Sequence, residues 1–339
     1  MVHVLLLRDI VGYLLKFVGT SDRSSFSNVC KVWNFAWRLR VAGLACVRPD
    51  QLRSGLLFKE RFPNLKILAV NTAIVFGHDL AVLAEHLGDR IECLRVRVVE
   101  GPLLDLRNFV ALKELAVGMT FYAGEENRFP FHGKPDCEVR VHKNVRLRKL
   151  SLLNMYGRAF SVPFMSQMSW DSVEHLQISS GIALSLLQGI ILPSLTVLDV
   201  IPFQTSKCFT NSIITDLFKE FSSSEVLTNQ FPALKVLRLS CCSMTIIGTE
   251  WIQPYSLVEL HIDHAPLLRG PSVIESAVTE ICCLAMIVRA SNMKQVHVYY
   301  NRKLNVEDVV TSLGRANKIP PGFEFHSGKW SEKEEEKSV

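Results

Sequence analysis

The sequence predicts an α/β chain: a solenoid of stacked strand-plus-helix repeats forming a curved parallel sheet with outer helices, preceded by a small three-helix module. Three observations predict it. A short pattern (apolar, two residues, apolar, one residue, apolar) recurs nine times between residues 60 and 300. Stretches with helical periodicity or turn residues separate the copies. The first 45 residues lack the pattern and carry amphipathic helical spacing instead.

The copies run in order. The first four are Leu65-Lys-Ile-Leu68-Ala-Val70, Ile91-Glu-Cys-Leu94-Arg-Val96, Leu112-Lys-Glu-Leu115-Ala-Val117 and Leu147-Arg-Lys-Leu150-Ser-Leu152. Then come Val173-Glu-His-Leu176-Gln-Ile178, Leu195-Thr-Val-Leu198-Asp-Val200 and Leu234-Lys-Val-Leu237-Arg-Leu239. Leu257-Val-Glu-Leu260-His-Ile262 and a weaker Met293-Lys-Gln-Val296-His-Val298 complete the set. Their central positions are spaced by 26, 21, 35, 26, 22, 39, 23 and 36 residues. Three long gaps therefore mark insertions or degenerate copies. In each copy the last two apolar positions are two apart, so both point inward from a short strand. One such strand cannot bury its face alone, and stacked parallel copies make a continuous core. Phe62-Pro63, Leu192-Pro193 and Phe231-Pro232 precede three copies, where proline fixes the chain without costing a ladder bond.

Between copies, Asp79–His86, Asn211–Phe221 and Val273–Val288 have helical periodicity. Gly118–Asn144 reads as an insertion or loop. Leu304–Leu313 reads as a final helix with Asn305 at its N-cap, stopped by Pro320-Pro321. The charged tail from Ser327 reads as solvated and disordered.

At the N-terminus, Leu6, Ile10, Leu14 and Phe17 share a helical face; Gly19-Thr-Ser-Asp22 is a break; Phe26, Val29, Cys30 and Trp33 continue with helical spacing. The segment carries Arg8, Lys16, Arg23, Lys31, Arg38 and Arg40 against Asp9 and Asp22, which suits an acidic partner. A bundle of about 40 residues rarely buries enough surface to be stable alone. The module opens at Leu6, which leaves room for a segment upstream of Met1.

Composition bounds the function classes. The chain is 48% hydrophobic and 21% charged with a net charge of +5, which is globular and lacks the dense basic field of a nucleic-acid binder. Nine cysteines, scattered without framework spacing, read as reduced thiols. Gln177–Leu198 is long enough to span a bilayer, but the repeat pattern accounts for it, and no membrane association is expected. No phosphate-binding glycine loop, G-x-G-x-x-G, G-x-S-x-G or H-E-x-x-H occurs. Cys241-Cys242 followed by His261 and His264 is poor chelate spacing, so neither metal nor cofactor is expected. No catalytic residue is assigned.

The repeated stretch resembles the leucine-rich-repeat family, although the family's Asn or Cys three residues after the strand is matched only by Cys242 after Leu239. The first module resembles the F-box: Leu6-Leu-Arg-Asp-Ile10, Asp22 and Val29-Cys-Lys-Val-Trp33 carry the resemblance, with Leu7 where the family has proline. The division is then an F-box at 1–45, irregular leucine-rich repeats at 46–303, a C-terminal cap at 304–326 and a tail at 327–339. The resemblance implies an intracellular, cytoplasmic or nuclear, substrate-recognition subunit of an SCF-type ubiquitin ligase, without enzymatic chemistry of its own. It implies binding of the Skp adaptor, and through it of cullin and RING subunits, by Leu6, Leu7, Ile10, Leu14, Val29, Cys30 and Trp33. The residues alternating with the inward apolar ones would bind a protein target: Arg95, Arg97, His175, Gln177, Asp199, Arg238, His261, Asp263, His297 and Tyr299. Lys149, Ser151, Glu259, His264 and Tyr300 extend that set. The alternatives are a repeat scaffold without ubiquitin linkage and a small-molecule sensor with a buried polar pocket near Arg95, Arg97 or Arg238.

Overall fold

The computed structural model describes residues 42–44, 59–70, 75–100, 103–119, 138–154, 169–179, 190–201, 230–242, 257–264, 273–289, 293–300, 306–315 and 321–327. Residues 1–41 of the F-box-like stretch, with the seven positions expected to contact an adaptor, the helical stretch Asn211–Phe221, Asn305 and the tail beyond Ser327 lie outside them, whereas Gly43 and Leu44, placed at the end of that module, are strand. The described residues fall in two compact units, the first ending at Val145 and the second beginning at Arg146. Both are α/β with parallel sheet.

The first unit contains β1 (Gly43–Leu44), β2 (Ile67–Val70), β3 (Val75–Phe76), α1 (Gly77–Leu87), β4 (Cys93–Glu100), β5 (Leu103–Leu106), β6 (Glu114–Met119) and β7 (Glu138–Val141). Its main sheet runs β1-β2-β4-β6, every pair parallel, and β3 pairs with the far end of β4. Helix α1 buries Leu80, Leu83, Ala84 and Leu87, the i, i+3, i+4, i+7 face of an amphipathic helix, and packs against β5. The stretch Gly118–Asn144, read from sequence as an insertion or loop, contributes strand at both ends. Gly118 and Met119 finish β6, and Glu138–Val141 forms β7, which pairs with β5 in a separate two-stranded parallel sheet.

The second unit contains β8 (Lys149–Asn154), a single 3₁₀ turn at Trp170–Ser172, β9 (His175–Ser179), β10 (Val197–Ile201), β11 (Val236–Cys242), β12 (Glu259–His264), α2 (Val273–Arg289), β13 (Gln295–Tyr300), α3 (Val306–Arg315) and β14 (Phe323–Ser327). The strands pair in strict chain order from β8 to β14, all parallel. The stretch assigned to a cap therefore supplies a helix and then one further strand of the sheet. The two ends of the uncharged window Gln177–Leu198 lie in strands β9 and β10, and no helix among the described residues is long and apolar enough to cross a membrane.

All nine copies of the motif end in strands of these sheets, and their central positions are in register. Leu68, Leu94 and Leu115 pair in one unit. Leu150, Leu176, Leu198, Leu237, Leu260 and Val296 pair in the other. Each of the nine is at most 2% exposed, so the stacked rows form the core. Backbone hydrogen bonds repeat with the same period. The carbonyl just ahead of a strand accepts two N–H groups from the next copy: Glu92 and Cys93 donate to Lys66, Lys113 and Glu114 to Glu92, Glu174 and His175 to Arg148, Thr196 and Val197 to Glu174. Lys235 and Val236 donate to Thr196, Val258 and Glu259 to Lys235, Lys294 and Gln295 to Val258.

A turn precedes most of these strands. Leu65 N–H donates to Phe62 O at 3.1 Å, Val173 to Trp170 at 3.1 Å, Leu195 to Leu192 at 3.2 Å and Leu234 to Phe231 at 3.1 Å. Pro63, Pro193 and Pro232 take the second place of the turn, where φ near −65° is required and no N–H is used. Trp170, Leu192 and Phe231 are buried, so each such turn also anchors its copy to the core. Strand β14 starts differently. Gly322 has φ of 81°, and its carbonyl accepts from Val296 N–H at 2.9 Å, which aligns β14 on β13.

Candidate functional site

Between the two inward apolar positions of each copy stands one residue that points to the opposite face. In the second unit these residues are Ser151, Gln177, Asp199, Arg238, His261, His297 and Glu324, and the parallel register lines them up across seven adjacent strands. Every member is polar. Neighbours in the row are about 4.8 Å apart in a parallel sheet, close enough for side chains to bond directly.

Ser151 Oγ donates to Gln177 Oε1 at 2.5 Å. Asp199, fully buried, faces His175 Nε2 at 2.6 Å through Oδ2 and Arg238 Nη1 at 3.7 Å through Oδ1. A buried carboxyl is retained only with such partners, and here two basic side chains supply them.

The late strands carry a denser group. Glu259 Oε1 makes a short hydrogen bond with His261 Nε2 and lies 3.7 Å from His297 Nε2. His297 Nδ1 faces Glu324 Oε2 and His326 Nε2, each at 3.2 Å. Tyr299 OH lies 3.2 Å from His261 Nδ1. The rings form a continuous stack: His261 on His297 at 4.5 Å between centroids, His297 on His326 at 5.4 Å, His326 on Tyr299 at 4.6 Å. Burial holds the His261 imidazole below the usual histidine range and so favours the neutral ring near pH 7, while the hydrogen bond to Glu259 pulls in the opposite direction.

The sequence-derived target face thus divides. His175, Gln177, Asp199, Arg238, His261, His297 and Tyr299 come together in one unit. Asp263 pairs in the backbone with Tyr299, but its side chain lies outside the described residues, as does that of His264. Tyr300 was expected on this face and is instead fully buried beside Phe325. The alternation explains the difference, because Tyr300 shares parity with the core residues Val296 and Val298. Arg95 belongs to the first unit, where it lies 3.8 Å from Glu114 on the neighbouring strand. Arg97 falls where the β4–β6 register shifts, between Val96 and Val99, and its side chain lies outside the described residues. The sequence reading missed Glu324 and His326 as site residues. Phe323-Glu-Phe325, two apolar residues spaced by one, was the available signal.

Elsewhere, burial pushes the thiol of the buried Cys93 up to about 11, which keeps it protonated near pH 7. No protein-family model matches the sequence, and no curated protein matches it.

Proposed function

We propose that this chain is a leucine-rich-repeat substrate receptor of an SCF-type ubiquitin ligase, with residues 1–45 as its F-box and no enzymatic chemistry of its own. The observation that carries the reading is the polar row Ser151–Gln177–Asp199–Arg238–His261–His297–Glu324, presented by parallel strands in chain order. A stacked-repeat protein holds a partner on such a strand face, and here the part-exposed Gln177, Arg238 and His297 and the exposed Glu324 would meet it, with Ser151, Asp199 and His261 buried among them. Tyr299 and Arg238 in this group are of the residue types enriched at protein interfaces. The F-box resemblance supplies the link to ubiquitin transfer: Leu6, Leu7, Ile10, Leu14, Val29, Cys30 and Trp33 would contact the Skp adaptor, which joins the receptor to cullin and RING subunits. The ligase then acts by proximity, holding the target near a charged conjugating enzyme.

Purified Skp adaptor is the test reagent. The full chain should bind it, and the Leu6→Asp, Ile10→Asp double variant should not. A folded full chain that fails to bind would overturn the ligase assignment and favour a stand-alone repeat scaffold.

A further inference from the structure

The end of the polar row carries more than a surface for a protein. His297 lies on β13; Glu324 and His326 lie two residues apart on β14 and share a face. Their ligating atoms form a triangle: His297 Nδ1 to Glu324 Oε2 is 3.2 Å, His297 Nδ1 to His326 Nε2 is 3.2 Å, and His326 Nε2 to Glu324 Oε2 is 3.7 Å. Zinc bonds nitrogen and carboxylate oxygen at about 2.0–2.2 Å, so the edge of its tetrahedron is roughly 3.3 Å. We propose that His297, Glu324 and His326 form a divalent transition-metal site of the zinc class, with Glu259 as the carboxylate behind His297.

Three features argue for a built site over a chance cluster. First, the backbone fixes the ligands on two hydrogen-bonded strands, with His297 paired to Glu324 and Tyr299 to His326. Second, His297 has an acid on each side. Glu259 Oε1 is 3.7 Å from Nε2, so a proton on Nε2 faces Glu259 and the Nδ1 lone pair faces the other two ligands. A carboxylate behind a histidine is the arrangement that sets tautomer and basicity in metal sites. Third, both histidine rings are braced by stacking, His297 on His261 and His326 on Tyr299. Their orientation therefore does not depend on the ion. The donor set is nitrogen and oxygen with two imidazoles, which selects zinc, cobalt or nickel over magnesium and calcium. Three protein ligands leave one position of a four-coordinate ion for water or for an atom of a bound partner. This site does not depend on the ubiquitin-ligase reading.

The test is titration of the purified full chain with Zn(II) by calorimetry and with Co(II) by visible absorption. One equivalent should bind, with the d–d bands of a four-coordinate cobalt site. X-ray absorption should show a first shell of nitrogen and oxygen. His326→Ala should weaken binding by more than about 100-fold, and Glu259→Gln, behind the ligands, by about 10–100-fold. His142→Ala, in the other unit, should leave the affinity unchanged. Glu324→Gln, similar in size and on the same strand, provides a second loss-of-ligand variant should His326→Ala fail to fold. Absence of stoichiometric binding, a sulfur first shell from the cysteines, or full affinity in folded His326→Ala and Glu324→Gln would each overturn the site.

Discussion

Asp199 is the residue on which the middle of the polar row turns. It is fully buried, with His175 on one oxygen and the Arg238 guanidinium beside the other. Removing one partner of a buried charged set costs about 3–5 kcal/mol, because the remaining groups keep their burial and lose their acceptor. Asp199→Ala should therefore lower unfolding free energy by about that much, and Asp199→Asn, which keeps the shape and one acceptor oxygen, by about 1–3 kcal/mol. Urea unfolding checks both; an alanine variant within about 0.5 kcal/mol of the parent, the range of surface substitutions, would show that Asp199 is not a clamp. The position of Asp199 was legible in the sequence, since it stands between Leu198 and Val200. Its burial was not, because burial depends on the Arg238 and His175 side chains closing over it from adjacent strands, contacts 39 and 24 residues away in the chain.

At the scale of elements, the strands of the first unit are tied by Glu92. Its carboxylate accepts from Lys66 Nζ and Lys113 Nζ, each at 2.6 Å, and so joins three consecutive copies just ahead of their strands. The Lys113 and Lys66 hydrogen bonds lower its carboxyl from the ordinary value of 4.5 to about 2. A carboxyl depressed by folding stabilises the native state fully above its unfolded pKa, and that contribution is lost as pH falls through the folded one. Glu92→Gln should thus be less stable than the parent at pH 7, with the difference fading between about pH 4.5 and pH 2. A difference independent of pH across that window would refute the linkage. The helix end behind these strands tolerates little change. A Cβ on Gly88 would sit 2.1 Å from Asn108 O and 2.5 Å from Ala84 O, both backbone atoms. Gly88→Ala should destabilise by about 1–3 kcal/mol, the usual cost of overpacking, and thermal unfolding reads it directly. The strands carrying the motif were all legible, because the motif encodes two inward side chains and a strand must bury them. The β5–β7 pair was not. Leu103–Leu106 and Glu138–Val141 lie outside the repeat, and their parallel pairing joins segments more than 30 residues apart with no periodic signal to connect them.

At the scale of the whole molecule, the described strands β9 to β14 each pair with their neighbours in sequence, so the stability of that part should be a sum of nearest-neighbour interfaces. That architecture could be read from nine copies and their spacing. The end of the sheet could not, because β14 carries only Phe323 and Phe325 of the pattern and depends on Gly322 to reach β13. The consequence for folding is specific. Leu260 stands fully buried between Leu237 and Val296. Leu260→Ala should cost about 2–5 kcal/mol through lost burial and the cavity left behind. In a stacked-repeat unit that loss propagates weakly. Hydrogen exchange should accelerate most at the Val258, Glu259, Lys294 and Gln295 amides, which bond across the β11–β12 and β12–β13 interfaces. The Glu174 and His175 amides, which bond to Arg148 across the β8–β9 interface, should change least. Equal acceleration at all of these amides would mean that the second unit unfolds as one cooperative block, and that its strands are coupled through more than their adjacent partners.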